Sequence, residues 1–386
     1  MSVVMAVNAL EARYRLVELE REELKIQCKV DDFHQWGAPA LDAAGYQQKE
    51  ALQRATPHSK RGSIFWALVE RNAASSQGSF GEDSDVNDEG IVPGVDLILC
   101  HCESHMFDCV FRKRNGEIVH GYSHHIGSVF TLPSHRGQGL ARFFLTSLAK
   151  RLAKRPDAVG SVLYSDIGPT FYDTLGWRLH SSDMAELNLA SPKNMKVVQE
   201  GHTDSAAPLY LDEALDAFLA VDNKRLETEM RTSAYNGKEV FAPLPTRDSI
   251  EWQFCLGQLY AKLRGFPTVP KQCGLKIYED AFVIWCHNLK ESTLYIVHAR
   301  FPADDPDATI RLLRAAIVEA AKYNLQSVAI WDPSAALLDN AITTTFDIVK
   351  TDREDSLSSL MVFNQHREEA TLDLPIWLNN EKMAWV

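Results

Sequence analysis

One stretch constrains this chain more than any other. Ile118 to Leu132 reads as a long strand that Pro133 must end. Pro133-Ser134-His135-Arg136-Gly137-Gln138-Gly139 is a short loop, and Leu140 to Lys154 follows as a helix. Leu140, Phe144, Leu148 and Leu152 recur every fourth residue, with Phe143 and Leu145 beside them, so one face of that helix is apolar. Lys150, Arg151, Lys154 and Arg155 suit the negative end of its dipole. A strand, a glycine loop and a helix make a device for holding anions. The helix N-terminus presents free N–H groups and about half a positive charge. Gly137 and Gly139 allow close approach of a pyrophosphate, and Arg136 adds a charged donor. The loop lacks the Gly-Lys-Ser or Gly-Lys-Thr of the P-loop, and it is not a Gly-x-Gly-x-x-Gly dinucleotide turn.

The elements around this unit predict a mixed α/β chain. Residues 9–29 carry helix-forming charged and apolar residues before an extended pattern, and Ser63–Val69 reads as a buried strand. Ala73 to Gly90 is rich in Ser, Gly, Asp and Glu, a composition for a mobile loop. Two strands are expected at Val95–Cys102 and Met106–Arg112, with a hairpin turn at Arg114–Glu117. Ser161–Ser165 is a further strand, and Pro169–Leu175 is a short helix stopped by Gly176. Residues 187–208 are polar and read as irregular, which places a domain boundary there. The expectation is a domain over 1–190 and a second over 205–386. The second begins with a helix at Leu211–Val221. It continues with strands near Leu275–Cys286 and Thr293–Phe301, a helix at Asp307–Lys322 and a strand at Ser327–Trp331. That order repeats the order of residues 95–165, which points to a divergent duplication.

At 386 residues the chain suits two cores rather than one. A net charge of −12 argues against nucleic acid and favours a cationic substrate. No apolar run approaches the roughly 20 residues of a membrane helix, and Met1–Val7 has no basic start, so an intracellular, cytoplasmic protein without membrane contact is expected. Seven scattered cysteines imply no disulfide framework. The densest group, Cys100-His101-Cys102-Glu103-Ser104-His105 followed by Cys109, offers a zinc site as one reading, but its C-x-C spacing is unlike that of common structural zinc sites, and the expectation is a strand packed on both faces, without metal.

Val129-Phe130-Thr131-Leu132-Pro133-x-x-Arg136-Gly137-x-Gly139-x-Ala141 resembles the acyl-CoA signature of the GNAT superfamily of N-acetyltransferases. Phe171-Tyr172-x-x-x-Gly176-Trp177 resembles that superfamily's second signature. The resemblance implies a GNAT fold in the first half, a GNAT-like second half and acetyl-CoA as co-substrate. It implies that Val129, Phe130 and Thr131 bind the pantetheine through their backbone. Arg136, Gly137, Gln138, Gly139, Leu140 and Ala141 would wrap the pyrophosphate, and Tyr172 would protonate the departing thiolate. Ser165 stands where many members of the superfamily carry Asn.

The acceptor amine must lose a proton to attack a thioester. With a pKa of about 10.4, roughly one molecule in a thousand is neutral near pH 7.4. The resemblance places a base at His125, with His124 beside it on the opposite strand face. The carboxylate of Val386, after the apolar Met383-Ala384-Trp385, is a further candidate, and a chain of waters is another. As a whole the chain resembles the fungal L-lysine N6-acetyltransferase family. The likeness rests on the two-domain size, on Ser128–Thr131 running into His135–Gly139, and on Leu163–Gly168 running into Phe171-Tyr172. It implies acetyl transfer to the ε-amine of free lysine in lysine catabolism. Alternatives are a protein lysine or a polyamine as acceptor, or a non-catalytic acyl-CoA sensor. The second half's own strand-to-helix junction, Phe301-Pro302-Ala303-Asp304-Asp305-Pro306-Asp307, has no glycine, and its aspartates would repel a pyrophosphate. One acetyl-CoA per chain is therefore expected.

Overall fold

The structure, a computed structural model, describes residues 10–71, 87–201, 206–363 and 373–386. Met1–Val7 and most of the stretch expected as a mobile loop, Ala73–Gly90, lie outside the described residues.

Two mixed sheets carry the chain. In the first, β1 (Tyr14–Leu19), β2 (Ile64–Glu70), β3 (Ile98–Arg112) and β4 (Ile118–Thr131) run antiparallel, each to the next. The helical reading of residues 9–29 is corrected at Tyr14–Leu19. Val17 and Leu19 gain a buried seat against Phe65, Ala67 and Val69 of β2, and that long-range pairing outweighs local helix propensity. The helix starts only at α1 (Glu22–Asp31), with Glu22 and Glu23 in its first turn. After it come α2 (Ala43–Arg54) and α3 (Pro57–Gly62), capped by Asp42 and Thr56.

The expected break between Cys102 and Met106 is also corrected, because β3 is continuous. Its polar centre is satisfied in place. Ser104 Oγ accepts from Trp66 Nε1 at 2.8 Å, Glu103 pairs with Lys29, and His105 Nδ1 lies 2.7 Å from Ser63 Oγ. The β3–β4 turn closes through Lys113 N to Glu117 O at 2.8 Å. Helix α4 (Leu140–Ala153) then packs Leu140, Phe144, Leu148 and Leu152 onto Trp66, Cys100, Cys102 and Leu163. It returns the chain as β5 (Ala158–Ser165), parallel to β4. The expected helix at Pro169–Leu175 is reduced to one turn at Asp173–Leu175, ended by Gly176 at φ 103°. The short β6 (Arg178–Leu179) follows.

Residues 187–208, expected to be irregular, contain ordered elements. They hold the end of β7 (Asp183–Asn188), then α5 (Pro192–Glu200), then the start of β8 (Ala207–Tyr210). Val197 of α5 joins the main core of the second half, and Asn194 Nδ2 donates to the carbonyls of Asn188 and Asp347. A polar helix thus holds through a few long-range contacts that its composition does not advertise. The rest of the chain is α6 (Glu213–Thr232), β9 (Val240–Pro243), α7 (Arg247–Leu263), β10 (Gln272–Tyr278), β11 (Ala281–Asn288), β12 (Thr293–Arg300), α8 (Pro306–Lys322), β13 (Ser327–Trp331), α9 (Asn340–Thr345), β14 (Val349–Asp352), β15 (Leu357–Val362) and β16 (Ile376–Trp377).

The second sheet has the order β14-β7-β13-β12-β11-β10-β8. Its β11–β12 hairpin, α8 and parallel β13 repeat the topology of β3–β4, α4 and β5. The sheets also exchange strands. β15 lies between β5 and β6 of the first sheet, and β9 pairs with the far end of β3.

Candidate active site

The site begins where two parallel strands part. β4 and β5 are paired from Tyr122 to Ile126 on one side and Ala158 to Leu163 on the other. Beyond Ile126, β4 runs on without β5. On its other edge the register with β3 slips by one residue between Gly127 and Phe130. Ser128, at φ 54°, takes up the extra residue. This is a bulge, and it turns the end of β4 away from β5. Val129, Phe130 and Thr131 form the arm so freed, and among the described residues no strand pairs with its β5-facing edge.

The loop after this arm is shaped by its glycines. Gly137 and Gly139 have φ of 76° and 79°, and no heavy atom lies within 4 Å of a Cβ placed on either. Gly139 is the N-cap of α4 and offers no side-chain cap, so the first N–H groups of the helix face open space. Leu140 is buried in the core and fixes the helix start, whereas Arg136, Gln138 and both glycines are exposed and Ala141 is half-buried. Arg136 Nε donates to Thr131 O at 3.0 Å, and its guanidinium lies 5.4 Å from the Phe130 ring centroid. The cradle is open, donor-rich and positively polarised, which fits a pyrophosphate. The corresponding junction of the second half is closed: Asp305 caps α8 by accepting from Ala308 N at 2.9 Å, and Tyr278 donates to its other oxygen.

Tyr172 lies on the α4 side of the sheet, in one cluster with Leu140, Phe144 and Leu163. Burial, with Cys102 and Asp166, pushes its phenol above the usual value. Such a phenol is a proton donor at neutral pH. The loop leading to it is held by Ser165, whose hydroxyl donates to Gly168 O at 2.8 Å and accepts from Ile167 N.

His125 faces the other way. Its Nδ1 donates to Ala384 O at 2.6 Å, its Nε2 lies 2.8 Å from Ser123 Oγ, and its ring stacks on Phe107 at 4.1 Å. Burial pushes its pKa down to about 3, so it is neutral with both nitrogens engaged. His124 is buried toward the opposite face. Burial and Arg155 lower its pKa to about 4, and its Nδ1 has no hydrogen-bond partner. The Val386 backbone reaches the mouth of the splay. Its carbonyl carbon and oxygen lie 3.2 and 3.1 Å from a Cβ placed on Gly127. The structure therefore gathers His125, Gly127 and Val386 on one face of β4 and sets Tyr172 on the other.

Several residues that sequence reasoning missed complete this face. Gln253 Nε2 of α7 lies 2.8, 3.3 and 3.0 Å from the carbonyl oxygens of Lys382, Met383 and Trp385. The Lys382 ammonium sits among the rings of Trp385, Trp331 and Tyr295 at 3.6, 4.3 and 4.7 Å. On β3, Glu103 stands opposite Gly127 and joins Glu50 and Asp32 around the buried Lys29. The apolar ending Met383-Ala384-Trp385 was the only local signal for this wall. Among the described residues no group of three or more His, Cys, Asp or Glu is arranged to hold a metal, and Cys100 and Cys102 pack in the core under α4. No described helix is long and apolar enough to cross a membrane.

Residues 189–386 match a family model described as the LYC1 GNAT-like C-terminal domain. Among curated proteins, an uncharacterised protein of Saccharomyces cerevisiae is 22% identical over 325 residues, covering 79% of this chain and 80% of its own length. A protein named lysine acetyltransferase from Yarrowia lipolytica is 25% identical over 236 residues, covering 52% of this chain and 59% of its own. A solved GCN5-related N-acetyltransferase from Kribbella flavida superposes with a TM-score of 0.51 at 14% identity, over 92% of this chain and 74% of that one. That last likeness bears on the fold alone.

Proposed function

The chain belongs to the LYC1 GNAT-like family, and on that premise we propose that it is an acetyl-CoA-dependent N-acetyltransferase whose acceptor is the ε-amine of free L-lysine. The observation that carries the transferase reading is the parting of β4 from β5 beside an uncapped, glycine-led helix start. The arm supplies backbone groups for the pantetheine, and the cradle supplies N–H donors for the pyrophosphate. The Yarrowia relative's name, lysine acetyltransferase, supports the choice of lysine. We assign one acetyl-CoA to each chain, because Asp305 already occupies the equivalent helix start in the second half.

Attack is direct in this reading. The neutral ε-amine adds to the thioester carbonyl, the C–S bond breaks, and Tyr172 protonates the leaving thiolate. The proton that the amine gives up leaves through water at the mouth of the splay, beside Val386. His125 serves to seat the segment that carries Val386, since its Nδ1–H is committed to Ala384 O. The buried carboxylates around Lys29 supply a negative field for a cationic substrate. Any role in lysine catabolism follows from that acceptor.

The test is thiol release from acetyl-CoA with L-lysine, D-lysine, ornithine, a polyamine and a lysine-containing peptide. Turnover confined to L-lysine supports the proposal. Turnover of the peptide or polyamine alone moves the acceptor to those classes. Tight acetyl-CoA binding with no turnover of any amine leaves a sensor.

A further inference from the structure

The segment Glu381–Val386 reaches the mouth of the splay without belonging to a strand; its only regular structure is the turn Lys382–Ala384. Its first residue is tied to the second sheet. His298 of β12 is 1% exposed, and its Nδ1 and Nε2 lie 2.5 Å from Glu381 Oε2 and 2.9 Å from Asp222 Oδ2. A carboxylate accepts only, so both ring nitrogens donate and the ring is an imidazolium. Glu381 Oε1 also accepts from Ala299 N at 3.3 Å, and Arg300 pairs with Asp222 and, more distantly, with Glu229. Phe282 of β11 covers the ring at 5.2 Å. Two cations, His298 and Arg300, thus face Asp222 and Glu381, with Glu229 behind Arg300.

Such a cluster is weak evidence of stability, because desolvating four charges offsets much of their attraction. β12 does not need it, being paired on both edges with β11 and β13. What the cluster does decide is where Glu381 sits. Three residues on, His125 fixes Ala384 O, and Gln253 fixes the carbonyls between and after. With these carbonyls held, that of Trp385 among them, only the Trp385 side chain and Val386 remain to be placed, a reach of about 3.6 Å of chain at full extension. Val386 is found against Gly127, and the Trp385 ring is found against the Lys382 ammonium.

We propose that His298 is a positioning residue for the acceptor side of the site: by clamping Glu381 it seats Trp385 and Val386 at the mouth of the β4–β5 splay. This rests on the transferase reading above. The cradle at Gly137–Leu140 is built on the start of α4, whereas the clamp is built on β12 of the second sheet, so the two substrates should feel its loss differently. The charge state sets a second signature. Burial alone would depress His298, but Glu381 and Asp222 more than reverse this and push it up to about 9. Above that pH the clamp loses its charge and leaves Glu381 and Asp222 facing a neutral ring.

The test uses the full chain with His298→Gln and, separately, Glu381→Gln, which keeps an acceptor oxygen. Acetyl-CoA affinity is read by calorimetry, and kcat and KM for L-lysine are read from pH 7 to 10. The expected result is a loss of about ten- to a hundredfold in kcat/KM for the amine in each variant, with acetyl-CoA affinity unchanged. Wild-type kcat/KM should bend downward above about pH 9, and the His298→Gln profile should lack that bend. Active wild type with variants of unchanged amine kinetics and the same alkaline limb would overturn the clamp alone. So would variants that lose acetyl-CoA affinity, amine turnover and melting temperature together, the mark of a merely structural role. A wild type inert toward every amine would instead remove the reading on which the clamp rests.

Discussion

His125 Nδ1 and the carbonyl oxygen of Ala384 meet at 2.6 Å across 259 residues of chain. Because a carbonyl can only accept, this contact sets the tautomer of a buried imidazole and leaves Nε2 to Ser123. It also joins the strand that opens the splay to the segment Glu381–Val386.

Replacing that ring separates its roles. His125→Phe leaves the Ala384 carbonyl unpaired in the interior, at a cost of about 1–3 kcal/mol. Denaturant titration should show that loss, and the remaining turnover should keep its acid limb. Loss of the limb with wild-type stability would make His125 the base.

Gly127 lies under Val386. A Cβ there would stand 3.1 Å from Val386 O and 3.2 Å from its Cγ2, closer than such contacts settle. Gly127→Ala should therefore push Val386 out of place. The expected outcome is a fall in kcat of about tenfold or more, with acetyl-CoA affinity and melting temperature held. Wild-type kcat would show that the position of Val386 does not matter.

Tyr172 is a phenol whose burial favours the protonated form. Tyr172→Phe should lower kcat by about 10²–10⁴ while acetyl-CoA still binds. Single-turnover thiol release, with calorimetry on the same samples, checks both halves of this statement. Unchanged kcat would remove Tyr172 from the chemistry.

Acid should unfold this chain early. Burial pushes His58, His101, His105 and His125 to about 3, and His124 and His180 to about 4. Unfolding frees these rings to bind protons near pH 6.5. Stability therefore falls as pH drops from 6.5 toward 3. Each ring contributes up to about 1.4 kcal/mol per pH unit. His298 works in the opposite direction, its stabilisation being complete below 6.5 and lost as pH rises through about 9. Urea midpoints at pH 7.5, 6 and 5 should decline in that order, and midpoints that stay level would contradict the burial of these rings.

What the sequence made legible was local. Pro133, the two glycines and the four-residue recurrence of Leu140, Phe144, Leu148 and Leu152 each act within one turn of chain, and they define β4, the cradle and α4. The repeat of hairpin, helix and parallel strand in the second half was legible for the same reason. The features that escaped depend on distant partners. β1 is a strand because β2 is there to pair with it, and β15 crosses into the first sheet to lie on β5. Glu381 and His298 are 83 residues apart, and no periodicity links them. The wall opposite the cradle is built almost wholly from such pairs, which is why the strand, glycine loop and helix could be read from local pattern and that wall could not.

The central claim is acetyl transfer to the side-chain amine of free lysine, and the most direct measurement is to identify the product. The chain would be incubated with acetyl-CoA carrying a carbon-13 acetyl group and with L-lysine, and the mixture followed by NMR. The account predicts an acetyl group on the ε-nitrogen, formed in step with free CoA. An acetyl group on the α-nitrogen, or acetate released without any amide, would contradict it.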